Sequence, residues 1–318
     1  MTIDVSVIVP AWAAAGCIER AGASALASMD VRLEVVAVDD ASADNTYDAL
    51  LRLAASDPRV VIDRLPQNSG PSAARNRAIE LSRGRYVAIL DADDVMAPGR
   101  LASLVAIADD EQADIVVDNM MEVDESGRTP PAPFLKSPAF SDRREIDLAT
   151  WMAFNQPMKP GDCLGYLKPL IRRSKLDNAG IRYDTSLRNS EDYYLIAHLL
   201  AEGAKMIYTP EHSYSYTRSI ASTSHRLKRE HTSAWLEAEQ RFRARYAGKV
   251  GAEVETALVS RERNLRYVNQ FVSAVDAMKD RRLVEVFGLL ISDLRATGYT
   301  LTALAKIAMG KALNRKMV

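Results

Sequence analysis

Tyr86-Val87-Ala88-Ile89-Leu90-Asp91-Ala92-Asp93-Asp94 is an apolar run of strand character that ends in three carboxylates within four positions. At the carboxyl end of a buried strand, such a cluster sits where open α/β sheets bind their ligands. Acidic side chains this close repel one another unless a cation neutralises them. Oxygen-rich clusters suit Mg²⁺ or Mn²⁺, ions that bridge protein carboxylates to phosphate oxygens. The run therefore implies an α/β sheet whose ligand is a metal-bound phosphate ester.

The flanking sequence repeats the same grammar. Val5-Ser6-Val7-Ile8-Val9 is a β-branched strand stopped by Pro10, and an alanine-rich helix is expected from about Cys17 to Ser28. Leu33–Val38 is a second strand, ending in Asp39-Asp40-Ala41-Ser42, with Asp44 placed to cap a helix over Thr46–Ala54. A short strand at Val60–Asp63 leads through Pro66-Gln67-Asn68-Ser69-Gly70-Pro71 into a helix over Ser72–Ser82, which Gly84 is placed to end. Alternation this regular predicts parallel strands joined by right-handed crossovers. After about residue 112 the character changes: a strand at Ala113–Val117, a proline-bearing excursion over Thr129–Pro138, ordered structure again near Gly165–Ile171, and Ser190-Glu191-Asp192-Tyr193-Tyr194 opening a helix. Past Lys228 the chain reads as helical. The expected domains are 1–228, with a nucleotide half over 1–112 and an acceptor half over 113–228, and a helical region over 229–318.

Composition narrows the class. The 318 residues are 47% hydrophobic and 26% charged, with a net charge of −1, so a core is affordable and no global field favours nucleic acid. Cys17 and Cys163 match no disulfide framework or metal spacing and read as reduced thiols of a cytoplasmic protein. The N-terminus lacks the pattern of a secretory signal, and no apolar run is long enough to span a bilayer. Near the end, Leu301, Leu304, Ala305, Ala308 and Leu313 approximate one helical face, while Lys306, Lys311, Arg315 and Lys316 make the segment basic. Packing on the catalytic domain is one reading of that face; peripheral attachment at the inner face of the cell membrane is the other. A homo-oligomer is compatible with the sequence.

In a parallel sheet the loops after the strands converge on one edge. Pro10-Ala11-Trp12 would offer a flat apolar surface to a base, and Asp39 or Asp40 would accept a hydrogen bond from its ring nitrogen. Asn68–Arg75 brings a glycine loop and an arginine to a helix start, favourable for phosphate oxygens. Asp91 and Asp93, either side of Ala92, would hold the metal. A nucleoside diphosphate uses all four loops. Each has a purely structural counterpart: Asp39–Ser42 and Asp91–Asp94 as capped turns, Arg75 paired with Glu80, Trp12 in the core, Arg218 solvated, and Glu191-Asp192 at a helix start favoured by its macrodipole.

These motifs together resemble a family 2 glycosyltransferase with the GT-A fold, a Rossmann-like, mostly parallel sheet flanked by helices. The resemblance rests on V-S-V-I-V-P-A-W at 5–12, V-D-D-A-S-A-D at 38–44, Q-N-S-G-P-S-A-A-R-N at 67–76, L-D-A-D-D at 90–94 and S-E-D-Y at 190–193. It implies a nucleotide-sugar donor, UDP-linked, a glycan or lipid-linked saccharide acceptor in surface-polysaccharide synthesis, and inversion at the anomeric carbon. Residue by residue, it implies nucleoside contacts from Pro10 and Trp12, uracil contacts from Asp40 with Asp39, a donor contact from Arg75, metal and donor contacts from Asp91 and Asp93, and a general base in Asp192. Two positions depart from the family pattern: Trp12-Ala13 replaces the usual tyrosine–asparagine, and Tyr216–Ser222 keeps Arg218 without a histidine beside it, leaving Arg218 to neutralise the leaving diphosphate and His212 and His225 as poorer metal ligands. Two other readings use the same residues: a non-catalytic nucleotide-sugar scaffold and a nucleotidyltransferase, the latter lacking its glycine-rich basic loop after the first strand.

Overall fold

The β-branched runs form the strands expected of them. In the computed structural model, which describes residues 3–124, 129–159, 161–218, 227–293 and 295–303, β1 (Val5–Ala11) is buried except at Pro10 and β2 (Leu33–Asp39) is buried throughout. They pair in parallel with Val7 opposite Val35 and Ala11 opposite Asp39, so Pro10-Ala11 and Asp39 finish at the same sheet edge. β3 (Val60–Arg64) adds to β2 and β4 (Tyr86–Ile89) to β1, both parallel. The crossovers are α1 (Ile18–Leu26), α2 (Thr46–Ser56) and α3 (Pro71–Leu81). Asn45, not Asp44, is the N-cap of α2 and makes no side-chain cap; Asp44, one residue earlier, instead accepts through Oδ1 from the Thr46 N–H at 3.2 Å. Gly84 serves a different purpose from the one expected. Helix α3 has already ended at Leu81, and a Cβ on Gly84 would lie 2.5 Å from the Ser6 backbone nitrogen, so the glycine lets the chain pass against β1.

Beyond β4 the sheet is mixed, which corrects the expectation of parallel strands with simple crossovers for this half. β9 (Leu170–Arg172) runs antiparallel between β4 and β6 (Ile115–Asp124), and β10 (Met206–Arg218) lies parallel to β6. Short β5 (Val95–Met96) closes the order β3-β2-β1-β4-β9-β6-β10-β5, with β7 (Ala132–Pro133) on β6 and β8 (Arg144–Glu145) on β10. The strand expected at Ala113–Val117 continues to Asp124 because β10 pairs along its whole length. Helices α4 (Arg100–Asp110), α5 (Leu148–Ala153), α6 (Arg173–Asn178) and α7 (Glu191–Ala201) complete this unit, which comprises Met1–Asn155 and Gly161–Ser222.

The second unit comprises Gln156–Pro160 and Thr223–Val318. It is helical as expected: α8 (Arg229–Tyr246), α9 (Ala252–Lys279) and α10 (Leu283–Ser292). Val268, Phe271 and Val272 form a core with Leu227, Val275, Tyr299 and Ala303 packed on it. Leu304–Leu313 and the basic residues after Leu304 lie outside the described residues, as does His225. No helix among the described residues is long and apolar enough to cross a membrane. Cys17 and Cys163 are both half-buried thiols; that of Cys17 donates to the Ala14 carbonyl at 3.4 Å and that of Cys163 to Asn155 Oδ1 at 3.3 Å.

Candidate active site

Three loops at the sheet edge turn through left-handed backbone at non-glycine residues: Ala13 (φ 50°), Ala41 (φ 54°) and Ser190 (φ 62°). Such conformations are uncommon and gather where a chain must be aimed. Ala13 follows Trp12, Ala41 follows Asp40, and Ser190 delivers Glu191 and Asp192 into the first turn of α7.

The centre of the site is a buried charge cluster. The Arg75 guanidinium donates from Nη2 to Asp91 Oδ1 at 2.9 Å and from Nη1 to Glu191 Oε1 at 2.6 Å, and its Nη1 lies 3.8 Å from Asp192 Oδ1. It stacks over the Tyr183 ring, 5.3 Å from the centroid. Lys168 approaches from the other side, its Nζ 2.8 Å from Asp91 Oδ2 and 3.7 Å from Asp192 Oδ2. Burial pushes the Asp91 carboxyl up, but Lys168 and Arg75 outweigh it and hold the group well below the usual carboxylate range. Burial likewise opposes the Lys168 charge, and Asp91 and Asp192 more than restore it. Glu191 is held above its ordinary range by burial, against the pull of Arg75. Arg75 is therefore no surface partner of Glu80; that role falls to Arg77.

The acidic loop separates its three carboxylates by environment. Asp93 is exposed, and partial burial together with the charge of Asp91 holds its pKa up. Asp94 is buried. The Tyr214 hydroxyl donates to its Oδ2 at 2.7 Å and the Thr217 N–H to its Oδ1 at 2.7 Å, while burial and then the neighbouring Asp91 and Asp93 charges raise its pKa to about 7. The same Tyr214 hydroxyl accepts from the Asp91 N–H at 3.1 Å. The Thr217 hydroxyl and Arg20 Nη2 each donate to the Asp93 carbonyl at 2.8 Å. Ala92 is half-buried between them. Repulsion in the triplet is thus relieved by two buried cations at one carboxylate and raised proton affinity at another, and only Asp93 is left outward.

The glycine loop departs from its expected use. Asp40 accepts from the Ser69 N–H at 2.7 Å and the Gly70 N–H at 2.8 Å, so the loop amides expected to meet phosphate already hold an internal anion. Gly70 has φ 92°, and its missing Cβ leaves room for Arg188, which donates to Asn68 Oδ1 at 3.0 Å. Asp39 is also buried. Its Oδ1 accepts from the Ser42 N–H at 3.1 Å, while Oδ2, 3.0 Å from Arg64 Nε, makes no hydrogen bond of good geometry. Pro10 is half-buried, Ala11 accepts from the Asp40 N–H at 2.8 Å, and Trp12 is 56% exposed and no core residue. Arg218 is exposed and 3.4 Å from Glu122, whereas its neighbour Thr217 reaches the acidic loop. His212 lies 3.2 Å from Asn119 rather than at a carboxylate cluster.

Lys168, Tyr214 and Thr217 were not singled out by sequence motifs. Lys168 carried one signal, a lone charge inside Leu164-Gly165-Tyr166-Leu167-Lys168-Pro169-Leu170-Ile171, since a cation buried among apolar residues needs an anionic partner. Behind it, Arg100 pairs with Asp118 at 2.7 Å in full burial, donates to the Lys168 carbonyl at 2.5 Å and lies under the Tyr214 ring.

Comparison with known proteins agrees with this geometry. Residues 6–174 match the model of the family described as Glycosyl transferase family 2. The chain is 35% identical over 290 residues to the succinoglycan biosynthesis protein ExoO of Rhizobium meliloti, covering 91% of this chain and 82% of that one. Among solved structures it is similar to S. aureus TarS 1–349 in complex with UDP-GlcNAc (TM-score 0.61, 18% identity, 91% of each chain). It is also similar to the mannosyltransferase PcManGT from Pyrobaculum calidifontis in complex with GDP-Man and Mn²⁺ (TM-score 0.59, 20% identity, 98% of this chain and 88% of that one). With a family match across more than half its length and the acidic loop, buried arginine and Glu191-Asp192 pair at one sheet edge, this chain belongs to glycosyl transferase family 2 and is a glycosyltransferase of the GT-A fold.

Proposed function

We propose that this enzyme moves a sugar from a UDP-linked donor to a hydroxyl of a glycan or lipid-linked saccharide during polysaccharide biosynthesis, with inversion. The observation that carries the reading is Arg75, which joins Asp91 of the acidic loop to Glu191 and Asp192 at the start of α7 in one buried cluster. The polysaccharide role is supported by the likeness to ExoO, and the uridine donor by the likeness to TarS.

The donor set fits a divalent cation, Mg²⁺ or Mn²⁺. Asp93 is exposed beside Asp91 and holds its negative charge at an energetic disadvantage that a cation relieves. Among the described residues no group of three or more His, Cys, Asp or Glu side chains could hold the ion alone, so in this reading Asp93 and Asp91 hold it together with donor phosphate oxygens. When bound, it would supply positive charge against the departing diphosphate. For the base, Asp39 or Asp40 would accept the ring N–H; Asp40 already accepts from two loop amides, and Asp39 Oδ2 stands 3.0 Å from Arg64 Nε, so either would exchange a present partner for the base. Trp12 and Pro10 offer the apolar surface beside it.

Asp192 takes the acceptor's proton as its oxygen attacks the anomeric carbon. Its Oδ1 is turned inward, 3.8 Å from Arg75, while the side chain keeps some exposure, so Oδ2, 3.7 Å from Lys168, is the oxygen that would meet a hydroxyl. One base and one displacement invert the centre. Arg75 and Lys168 orient Asp91 and Asp192, and their charges sit against the site where the leaving group gains charge.

A panel of nucleotide sugars tested by thermal shift with and without Mn²⁺ identifies the donor, since a ligand at a hundredfold excess over Kd stabilises the native state by about 2.7 kcal/mol. A Mn²⁺-dependent shift with a UDP sugar is expected. Asp192→Asn should then abolish transfer while donor binding stays near wild type; full turnover in that variant overturns the base assignment, a shift without transfer by the wild type favours a scaffold, and no shift with any nucleotide sugar overturns the donor reading.

A further inference from the structure

Helix α10 carries its apolar residues outward. Leu283, Val284, Phe287 and Ile291 are 72%, 88%, 67% and 59% exposed, and at 100° per residue they fall on one side of the helix. The rest of α10 is anchored: Gln270 of α9 donates from Nε2 to the Leu289 carbonyl at 2.7 Å, and Glu285 pairs with Arg229 at 2.7 Å. A contiguous apolar face of this kind marks an interaction site.

Charge identifies what the face meets. Residues 279–318 hold eight Lys and Arg against three Asp and Glu, a net of +5, in a chain whose total is −1. The first 278 residues therefore carry −6, and the 25 residues after Asp293 contain five cations and no anion. An anionic surface attracts this end of the sequence and repels the remainder. A second copy docked through the same face would bring two +5 segments together.

We propose that α10 is the element by which this protein docks peripherally on an anionic phospholipid bilayer. Leu283, Val284, Phe287 and Ile291 enter the boundary between headgroups and acyl chains, and the basic residues between Arg295 and Lys316 supply the long-range attraction. The later face from Leu301 to Leu313, where the sequence allowed either packing or membrane attachment, lies mostly outside the described residues, and the apolar contact rests on α10. The inference stands on the C-terminal unit alone, and neither donor nor acceptor chemistry enters it.

The test is flotation of the full chain with vesicles of phosphatidylcholine, with and without about a quarter phosphatidylglycerol. The protein should float with the anionic vesicles and stay behind with the neutral ones, and salt at about 0.5 M should release most of it. The double substitution Val284→Glu with Phe287→Glu should lower the partition coefficient at least about tenfold while leaving the melting temperature unchanged, because both side chains are already in water. Neutralising Lys306, Lys311, Arg315 and Lys316 to glutamine should weaken binding to anionic vesicles and reduce its salt dependence. No flotation with anionic vesicles, or equal flotation of the Val284/Phe287 variant, overturns the proposal. So does light scattering that finds a wild-type dimer which the same variant splits into monomers, since the occupant would then be a second copy.

Discussion

Lys168 is where the carboxylate of the acidic loop and that of the α7 start meet one cation, 2.8 Å from Asp91 and 3.7 Å from Asp192. Removing one partner of a buried ion pair leaves the other uncompensated, which costs about 3–5 kcal/mol. Lys168→Met should destabilise the fold by about that much in urea unfolding. Because Asp91 and Asp192 lose their common cation, it should also lower kcat by about a hundredfold in steady-state assays with donor KM changed far less; Lys168→Arg should recover part of both losses. Asp94 gives a pH prediction. Its folded-state pKa of about 7 lies above the 3.8 of a free aspartate, so the folded chain binds this proton more tightly than the unfolded one. The associated stability is complete below about pH 4 and is lost as pH rises toward 7. Urea midpoints should fall across that window, and Asp94→Asn should flatten the slope. Motifs made Asp91, Asp93, Arg75 and Asp192 legible because each stands in a short pattern tied to a strand or helix end. Lys168 and Tyr214 were illegible because their partners in the acidic loop stand 77 and more residues away, and only sheet pairing brings them close.

At the scale of elements, the first four strands were legible because β-branched runs between glycine, proline and aspartate punctuation fix both strand and crossover. The later half was not. β5, β7 and β8 are two residues each and exist only through pairing with longer neighbours, and antiparallel β9 obeys no crossover rule. Gly84 was read as a helix stop when its reason is the approach of β1, a contact 78 residues distant. Gly84→Ala should destabilise by about 1–3 kcal/mol in urea unfolding, since the methyl would meet backbone rather than a yielding side chain. Ion pairs divide by burial in the same way. Asp118→Ala, which strands the fully buried Arg100, should destabilise by about 3–5 kcal/mol. Arg52→Ala breaks an exposed pair with Glu19 and should change stability by about 0.5 kcal/mol or less.

At the scale of the whole molecule, the chain holds two cores, the sheet unit and the helical unit around Val268, Phe271 and Val272. A chain with two cores can leave two-state behaviour. Calorimetry should resolve two transitions, of which a UDP sugar with Mn²⁺ raises only the one belonging to the sheet unit; a single transition, or equal movement of both, would contradict independent unfolding. Tyr214 carries a last consequence. Its hydroxyl clasps the loop that holds Asp91 and Asp94 from 120 residues further along the sequence. At about 5–20 residues per second, a ribosome delivers that clasp roughly 6–25 s after the loop itself has been made. Until β10 emerges, the nascent polypeptide carries every acidic motif without the Tyr214 and Thr217 bonds that hold Asp91, Asp93 and Asp94, so the acidic loop gains its last restraints only with the final strand.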